Sequence, residues 1–320
     1  MDPIQVLASI EYEEVPECPL CYGGTGDIVD MITDVDANRP SQSWKLCLSC
    51  GHAFVDPRPT EAFLSAYYTE GYRRQIYKLK DKESKEVMPA ASVNEERNRA
   101  MKVATQIMLL KTKVSSHLDI GSSTGALCAG VVDFLRPAHS WGVEPGDAWR
   151  SFAEMAFAKR TKEMKLYEDD VKFVAKLSQV PKSPKFELVT IIHTLEHLRE
   201  PRAVIEEAKR RMKIDGLLVV EVPNRYGGHP NPLMWPHLHS FTEQTIDRLL
   251  TEVGFYPILH DTFGNFPPFF PPPQAILVAA TLRPPEISLA NVLSRFNMYR
   301  ALIGDVQKRM AQARPSYEIG

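Results

Sequence analysis

His117-Leu118-Asp119-Ile120-Gly121-Ser122-Ser123-Thr124-Gly125 runs an apolar strand into a turn of small residues that opens a helix. Glycines in such a turn let the backbone approach a ligand, and the helix N-terminus faces that ligand with free N–H groups. Two glycines alone say little. The weight comes from Trp141-Gly142-Val143-Glu144-Pro145, in which an acid ends the next apolar run. It stands roughly 20 residues further on, the position from which a carboxylate takes both hydroxyls of a ribose. The turn and Glu144 therefore place two ends of one nucleoside.

Outward from this unit, apolar strands alternate with helices. A helix pattern beginning at Asn94 and carrying Ala100, Val103, Ala104, Ile107 and Leu110 precedes it. Strands are expected at 116–120, 140–144, 164–167, 187–192 and 217–222. That alternation predicts an α/β fold, a parallel sheet covered by helices on both faces. A helix over 242–253, stopped by Gly254, leads to strands near 256–263 and at 274–282. With no helix between them, these two predict an antiparallel hairpin at the sheet edge. The intervening Phe266-Pro267-Pro268-Phe269-Phe270-Pro271-Pro272-Pro273 reads as a stiff connector or an aromatic flap. In the tail, 286–312, Leu289, Val292, Phe296, Tyr299, Ile303, Val306 and Met310 form a heptad stripe. The stripe docks on the parent domain or, alternatively, makes a homodimer seam.

The front of the chain has a different character. Four of its five cysteines fall as two close pairs, Cys18/Cys21 and Cys47/Cys50, and Cys128 stands apart in a helix pattern as a core residue. Two C-x-x-C knuckles supply four thiolates to one tetrahedral ion, which points to Zn2+ before disulfides. Trp44-Lys45-Leu46 and Ala53-Phe54-Val55 are strand candidates beside the second knuckle, and Thr60-Glu61 reads as a helix start. A tyrosine group follows, Tyr67, Tyr68, Tyr72 and Tyr77, and then a charged stretch over 78–90. The expected divisions are a zinc-binding module over 1–60, a tyrosine-rich linker over 61–93, a catalytic domain over 94–283 and a C-terminal helix over 284–320. A formal net charge of −2 and a pI near 6.5 argue against a nucleic-acid partner. No signal segment or bilayer-length apolar run is evident, so a cytoplasmic protein is expected.

The turn, Glu144 and the segment Phe186-Glu187-Leu188-Val189-Thr190-Ile191-Ile192-His193-Thr194-Leu195-Glu196-His197-Leu198 resemble the class I S-adenosylmethionine-dependent methyltransferases over about 94–282. Their fold is a Rossmann-like sheet of seven strands, parallel with an antiparallel edge hairpin. The resemblance implies S-adenosyl-L-methionine as cofactor. It places Asp119 and Gly121 near the methionine end, Ser122, Ser123 and Gly125 along the turn, and Glu144 on the ribose. It also places Asp169 on the adenine amine and His193 beside the sulfonium. Ser123 departs from the family pattern, standing where its members carry the middle glycine. Methyl transfer needs an aligned acceptor and, for a hydroxyl or carbon acid, a base. The loop after the fifth strand holds His229, Trp235, His237 and His239; His237 and His239 are the leading acid/base candidates.

A sharper similarity is to the nucleotide-sugar C-methyltransferases, which pair a four-cysteine zinc domain with this fold. It rests on the two cysteine pairs, the Tyr67/Tyr68/Tyr72 region and Glu221-Val222-Pro223-Asn224 with the histidine pair downstream. In that family the histidines bracket a glutamate where this chain has Leu238, and a further C-terminal domain follows that this chain has no room for. The expected acceptor is accordingly a small polar molecule, a sugar or nucleotide-sugar, methylated on oxygen rather than carbon. Two other readings stay open: a ribosomal-RNA base methyltransferase, through Cys50-Gly51-His52, and a non-catalytic scaffold on the same fold.

Overall fold

The computed structural model describes residues 10–34, 40–71, 90–111, 113–164, 171–227, 232–261 and 274–284. Two sheets and six helices organise them, together with a short two-stranded pairing of β1 (Tyr12–Glu13) with β5 (Arg58–Pro59). The front sheet contains β2 (Ile28–Asp34), β3 (Gln42–Cys47) and β4 (Ala53–Val55). Thr60 caps α1 (Glu61–Ala66), its hydroxyl oxygen accepting from the Phe63 amide, as the sequence anticipates.

The large sheet is built from β6 (Ser116–Ile120), β7 (His139–Val143), β8 (Val171–Val174), β9 (Phe186–Ile192), β10 (Met212–Pro223), β12 (Tyr256–Asp261) and β13 (Ala275–Thr281). Its order is β12-β13-β10-β9-β6-β7-β8, parallel from β10 to β8, with β13 antiparallel to both its neighbours. The expected α/β sheet of seven strands with an antiparallel edge is therefore present. The third strand lies later than the expected 164–167, because α4 (Asp147–Met164) continues through the start of that window.

The apolar runs of the central strands serve both faces, as strands buried between two helical layers must. Along β10, Leu217 and Val219 pack with Ala100, Val103 and Ile107 of α2 (Ala90–Leu110) and Leu127 and Val131 of α3 (Ala126–Leu135). Leu218, Val220 and Val222 face the opposite layer, with Ile205 of α5 (Pro201–Arg211) and Ile246, Leu249 and Leu250 of α6 (Glu243–Val253). That second core also contains Cys18, Leu20, Cys47 and Phe54, so the front sheet and the large sheet share one interior.

The join is more intimate than a linker would make it. β11 (His239–Ser240), from the loop after β10, pairs antiparallel with β4 and completes the front sheet in the order β11-β4-β3-β2. Three arginines from the catalytic side donate to carbonyls of the cysteine knuckles: Arg202 to Leu20 at 2.8 Å, Arg225 to Gly51 at 2.7 Å and Arg248 to Ser49 at 2.7 Å. Among the described residues no helix is long and apolar enough to cross a membrane. Tyr72, Tyr77, Asp169, His229, the proline-rich stretch 266–273 and the heptad stripe lie outside the described residues.

Candidate active site

A cavity of about 1110 Å³ opens over the C-terminal ends of β6, β7, β8 and β9, the edge at which open α/β sheets bind ligands. Its floor is the small-residue turn, where Gly121, Ser123 and Gly125 have φ of +84°, +46° and +75°. A side chain at Gly121 would overlap Thr194, so glycine is required there for space as well as for conformation. Ser123 is left-handed without being glycine, and its hydroxyl donates to Glu96 at 3.2 Å while the Thr124 hydroxyl donates to the other Glu96 oxygen at 2.5 Å. Glu96 thus clamps the turn from α2. It had a faint signal in the sequence, standing one helical turn before Ala100 on the buried stripe.

Glu144 ends β7 inside the cavity. It accepts from the Ser123 amide at 3.0 Å and the Gly146 amide at 2.7 Å, and burial raises its carboxyl to about 7. Asp119 is tied into the sheet: it accepts from the Thr190 hydroxyl at 2.7 Å, the Cys128 thiol lies 3.7 Å away, and burial pushes it up to about 6. Asp169 was expected to follow the third strand. It precedes β8 in the chain, so the C-terminal end of that strand presents Ala175, Lys176 and Leu177 to the cavity instead.

The second half of the cavity is lined by Tyr67, Tyr68, His193, Glu196, His197 and His237. His193, at φ +47°, sits between two buried carboxylates, its Nε2 3.1 Å from Glu221 and its Nδ1 3.3 Å from Glu196. Although burial opposes its charge, the two carboxylates raise its pKa above the usual histidine value. Both ring nitrogens of His193 therefore face carboxylates, which hold the ring in place. His237 is different. Its Nδ1 donates to the Pro232 carbonyl at 3.1 Å, and burial holds it down to about 4, a neutral imidazole with Nε2 as its acceptor.

His239 does not join this group. It is buried in β11 against the front sheet, its Nδ1 3.1 Å from His52 Nε2 and the two rings stacked, and it does not line the cavity. The period of two along a strand turns His237 and His239 to the same side only if the backbone is extended from one to the other; β11 begins at His239. The acid/base expectation for His239 is withdrawn on that geometry.

The four cysteine sulfurs lie within 4.8 Å of one another, with Cys18–Cys50 at 3.6 Å and Cys21–Cys47 at 3.7 Å. Tetrahedral zinc–sulfur bonds of about 2.3 Å put sulfurs roughly 3.8 Å apart, so the cluster matches such an ion closely. Burial pushes the Cys21 thiol up to about 11, a cost that a bound cation reverses by holding the thiolate.

The sequence profile of the methyltransferase-domain family matches residues 93–260. The chain belongs to this family. Its enzyme class is that of the S-adenosylmethionine-dependent methyltransferases. Among solved structures, the methyltransferase resembles magnesium protoporphyrin IX methyltransferase from Synechocystis PCC 6803 with bound SAH. The identity is 14% and the TM-score 0.50, covering 70% of this chain and 100% of that one. The glycopeptide N-methyltransferase MtfA is a more distant likeness, 15% identical with a TM-score of 0.44 over 57% of this chain and 90% of that one. No curated protein sequence matches.

In this methyltransferase the cavity brings together Asp119, Gly121, Ser122, Ser123, Glu144, His193 and His237 from separate stretches of sequence. Glu96 and the carboxylates flanking His193 complete the constellation. Of those, Glu196 stands in the fourth-strand motif itself, whereas nothing local in Glu221-Val222-Pro223 marks the glutamate as a partner of His193.

Proposed function

We propose that the protein transfers a methyl group from S-adenosylmethionine to a hydroxyl of a small polar acceptor, a sugar or nucleotide-sugar. The observation that carries this reading is the continuity of one cavity, whose nucleoside-sized half ends at Glu144 and whose other half is walled by tyrosines and histidines. The cofactor supplies a methyl on a sulfonium already activated for displacement. In this reading Glu144 would hold the ribose hydroxyls, the turn at Gly121–Gly125 would lie along the methionine portion, and Trp149 and Leu177, which also line the cavity, would border the base. The Trp235 indole donates to the Tyr67 hydroxyl at 3.1 Å, which fixes the wall against which an acceptor is oriented. His237, neutral and cavity-facing, accepts the hydroxyl proton.

We also assign the front segment, through about residue 60, as a zinc module whose purpose in this reading is to place His237. Gln42 donates to the His237 carbonyl at 2.7 Å, and the Val55 amide donates to the Leu238 carbonyl at 2.9 Å.

Calorimetry with S-adenosylhomocysteine, followed by methyl-transfer assays on a panel of nucleotide sugars and free glycosides, tests the reading. Micromolar binding is expected, with turnover of at least one hydroxyl-bearing acceptor that falls by about 100-fold or more in His237→Ala. Tight cofactor binding with turnover only of RNA, or of no hydroxyl acceptor, would sink the acceptor assignment.

A further inference from the structure

Glu196 is the most anomalous group in the cavity. It is 1% exposed, and among the described residues neither carboxylate oxygen has a hydrogen-bond partner. His193 approaches Oε1 at 3.3 Å as an ion-pair contact, whereas Oε2 has no ion-pair contact among the described residues. A buried carboxylate with unfilled lone pairs costs several kcal/mol unless a cation or donors answer it.

Two further imidazoles converge on it. His197 Nε2 lies 3.8 Å from Glu196 Oε1, and the His197 and His237 rings meet edge to face at 4.9 Å between centroids. Both histidines turn Nδ1 toward a backbone carbonyl, His237 toward Pro232 at 3.1 Å and His197 toward Pro236 at 3.5 Å. A carbonyl only accepts, so each Nδ1 carries its hydrogen and each Nε2 keeps its lone pair. Carbonyl-anchored imidazoles with Nε2 lone pairs gathered on a buried carboxylate are the arrangement that holds a metal. One ligand atom from each of the three lies within 4.8 Å of the others.

We propose that Glu196, His197 and His237 form a second metal site, separate from the four cysteines, for a divalent ion that favours imidazole and carboxylate ligands. Tetrahedral bonds of about 2.0–2.1 Å separate ligand atoms by roughly 3.4 Å, so binding draws the three inward by about an ångström. Three protein ligands leave at least one position open toward the cavity, as in metal sites that bind a reacting molecule. With the ion bound, His237 is a ligand and no longer the proton acceptor; the open position takes a hydroxyl oxygen of the acceptor, whose proton the ion makes acidic enough to pass to water. The acceptor role rests on the function proposed above; the binding of the ion does not.

The test uses the full chain with its cysteine site filled by one equivalent of Zn2+, titrated with Co2+. One further cobalt per chain is expected, with visible d–d absorption and no sulfur-to-metal charge-transfer band. In Glu196→Gln and in His237→Ala the cobalt affinity should fall by about 100-fold or more. Retained zinc and an unchanged melting transition in either variant would show that it is folded. Wild-type protein that takes up no second ion, or takes it up as tightly in both variants, overturns the site. S-Adenosylhomocysteine calorimetry on the same samples keeps the two ideas apart. Cofactor binding without cobalt removes only the metal site; cobalt binding without cofactor upholds the site and removes the methyltransferase reading of the cavity.

Discussion

Glu144 and Ser123 show how single residues set the cofactor half. Two backbone amides and a helix turn converge on Glu144, yet burial still raises its carboxyl to about 7, so near neutrality a large part of it is protonated. In the proposed binding mode the ribose hydroxyls donate to the carboxylate form. Cofactor affinity is therefore expected to rise between pH 6 and 8, by up to about tenfold per pH unit below the pKa, and to level off above it. Glu144→Gln should bind weakly at both pH values with no such rise, which calorimetry at pH 6 and 8 checks; an equal slope in the variant would reassign the titrating group. Ser123 shows a residue taking over a glycine's place. A left-handed non-glycine conformation costs about 1 kcal/mol or more, and the hydrogen bond to half-buried Glu96 offsets it.

At the scale of elements, the decisive contact is β11 on β4. The strand is only two residues long, and His239 and Ser240 pair with Phe54 and Ala53. So short an edge has little stability of its own, so it depends on β3 and β4, which the second cysteine knuckle joins. Replacing both Cys47 and Cys50 by serine should therefore raise amide hydrogen exchange at 53–55 and at 238–240 together, while 116–120 at the centre of the large sheet stays protected. Exchange confined to the first 55 residues, with 238–240 still protected, would show that the catalytic loop holds itself. The same coupling predicts that the double variant loses methyl transfer more steeply than cofactor affinity, because the loop carries His237, the proposed proton acceptor, whereas Glu144, the proposed ribose partner, ends a strand of the large sheet.

For the whole molecule, the polar line through the centre of the sheet contributes to acid stability, alongside the buried His237 and His239. His117 is fully buried, bonded to Ser140 at 2.9 Å and Thr190 at 2.9 Å, and burial holds it down to about 3. Its folded pKa is below its unfolded one, so the unfolded chain binds a proton first and stability falls as pH drops from about 6.5 toward 3. The loss is about 1.4 kcal/mol per pH unit over that window. Asp119 and Glu144, raised to about 6 and 7, act in the opposite sense, since protonation favours the folded form. The difference between wild type and His117→Gln isolates the histidine. From pH 7 to 5 the variant should lose about 2 kcal/mol less than wild type in denaturant unfolding; parallel losses would show that His117 is charged in the native state.

Local sequence was enough for the sheet, the turn and the cysteine pairs. Period-two apolar runs, glycines at the strand end and C-x-x-C spacing are properties of a few adjacent residues, and they act through backbone geometry that any fold of this class shares. The third strand was expected too early: Met164 still belongs to α4, and β8 forms only at Val171–Val174, because a short apolar run does not by itself mark where a strand begins. What only the tertiary structure decided is which distant groups meet. His237 and His239 are two residues apart and look alike, yet one lines the cavity and the other is sealed against His52, because β4 captures the chain at residue 239. Glu96, Glu196 and Glu221 come from three separate elements to one cavity wall or its support. Their pairing follows from long-range packing and desolvation, which no window of sequence contains.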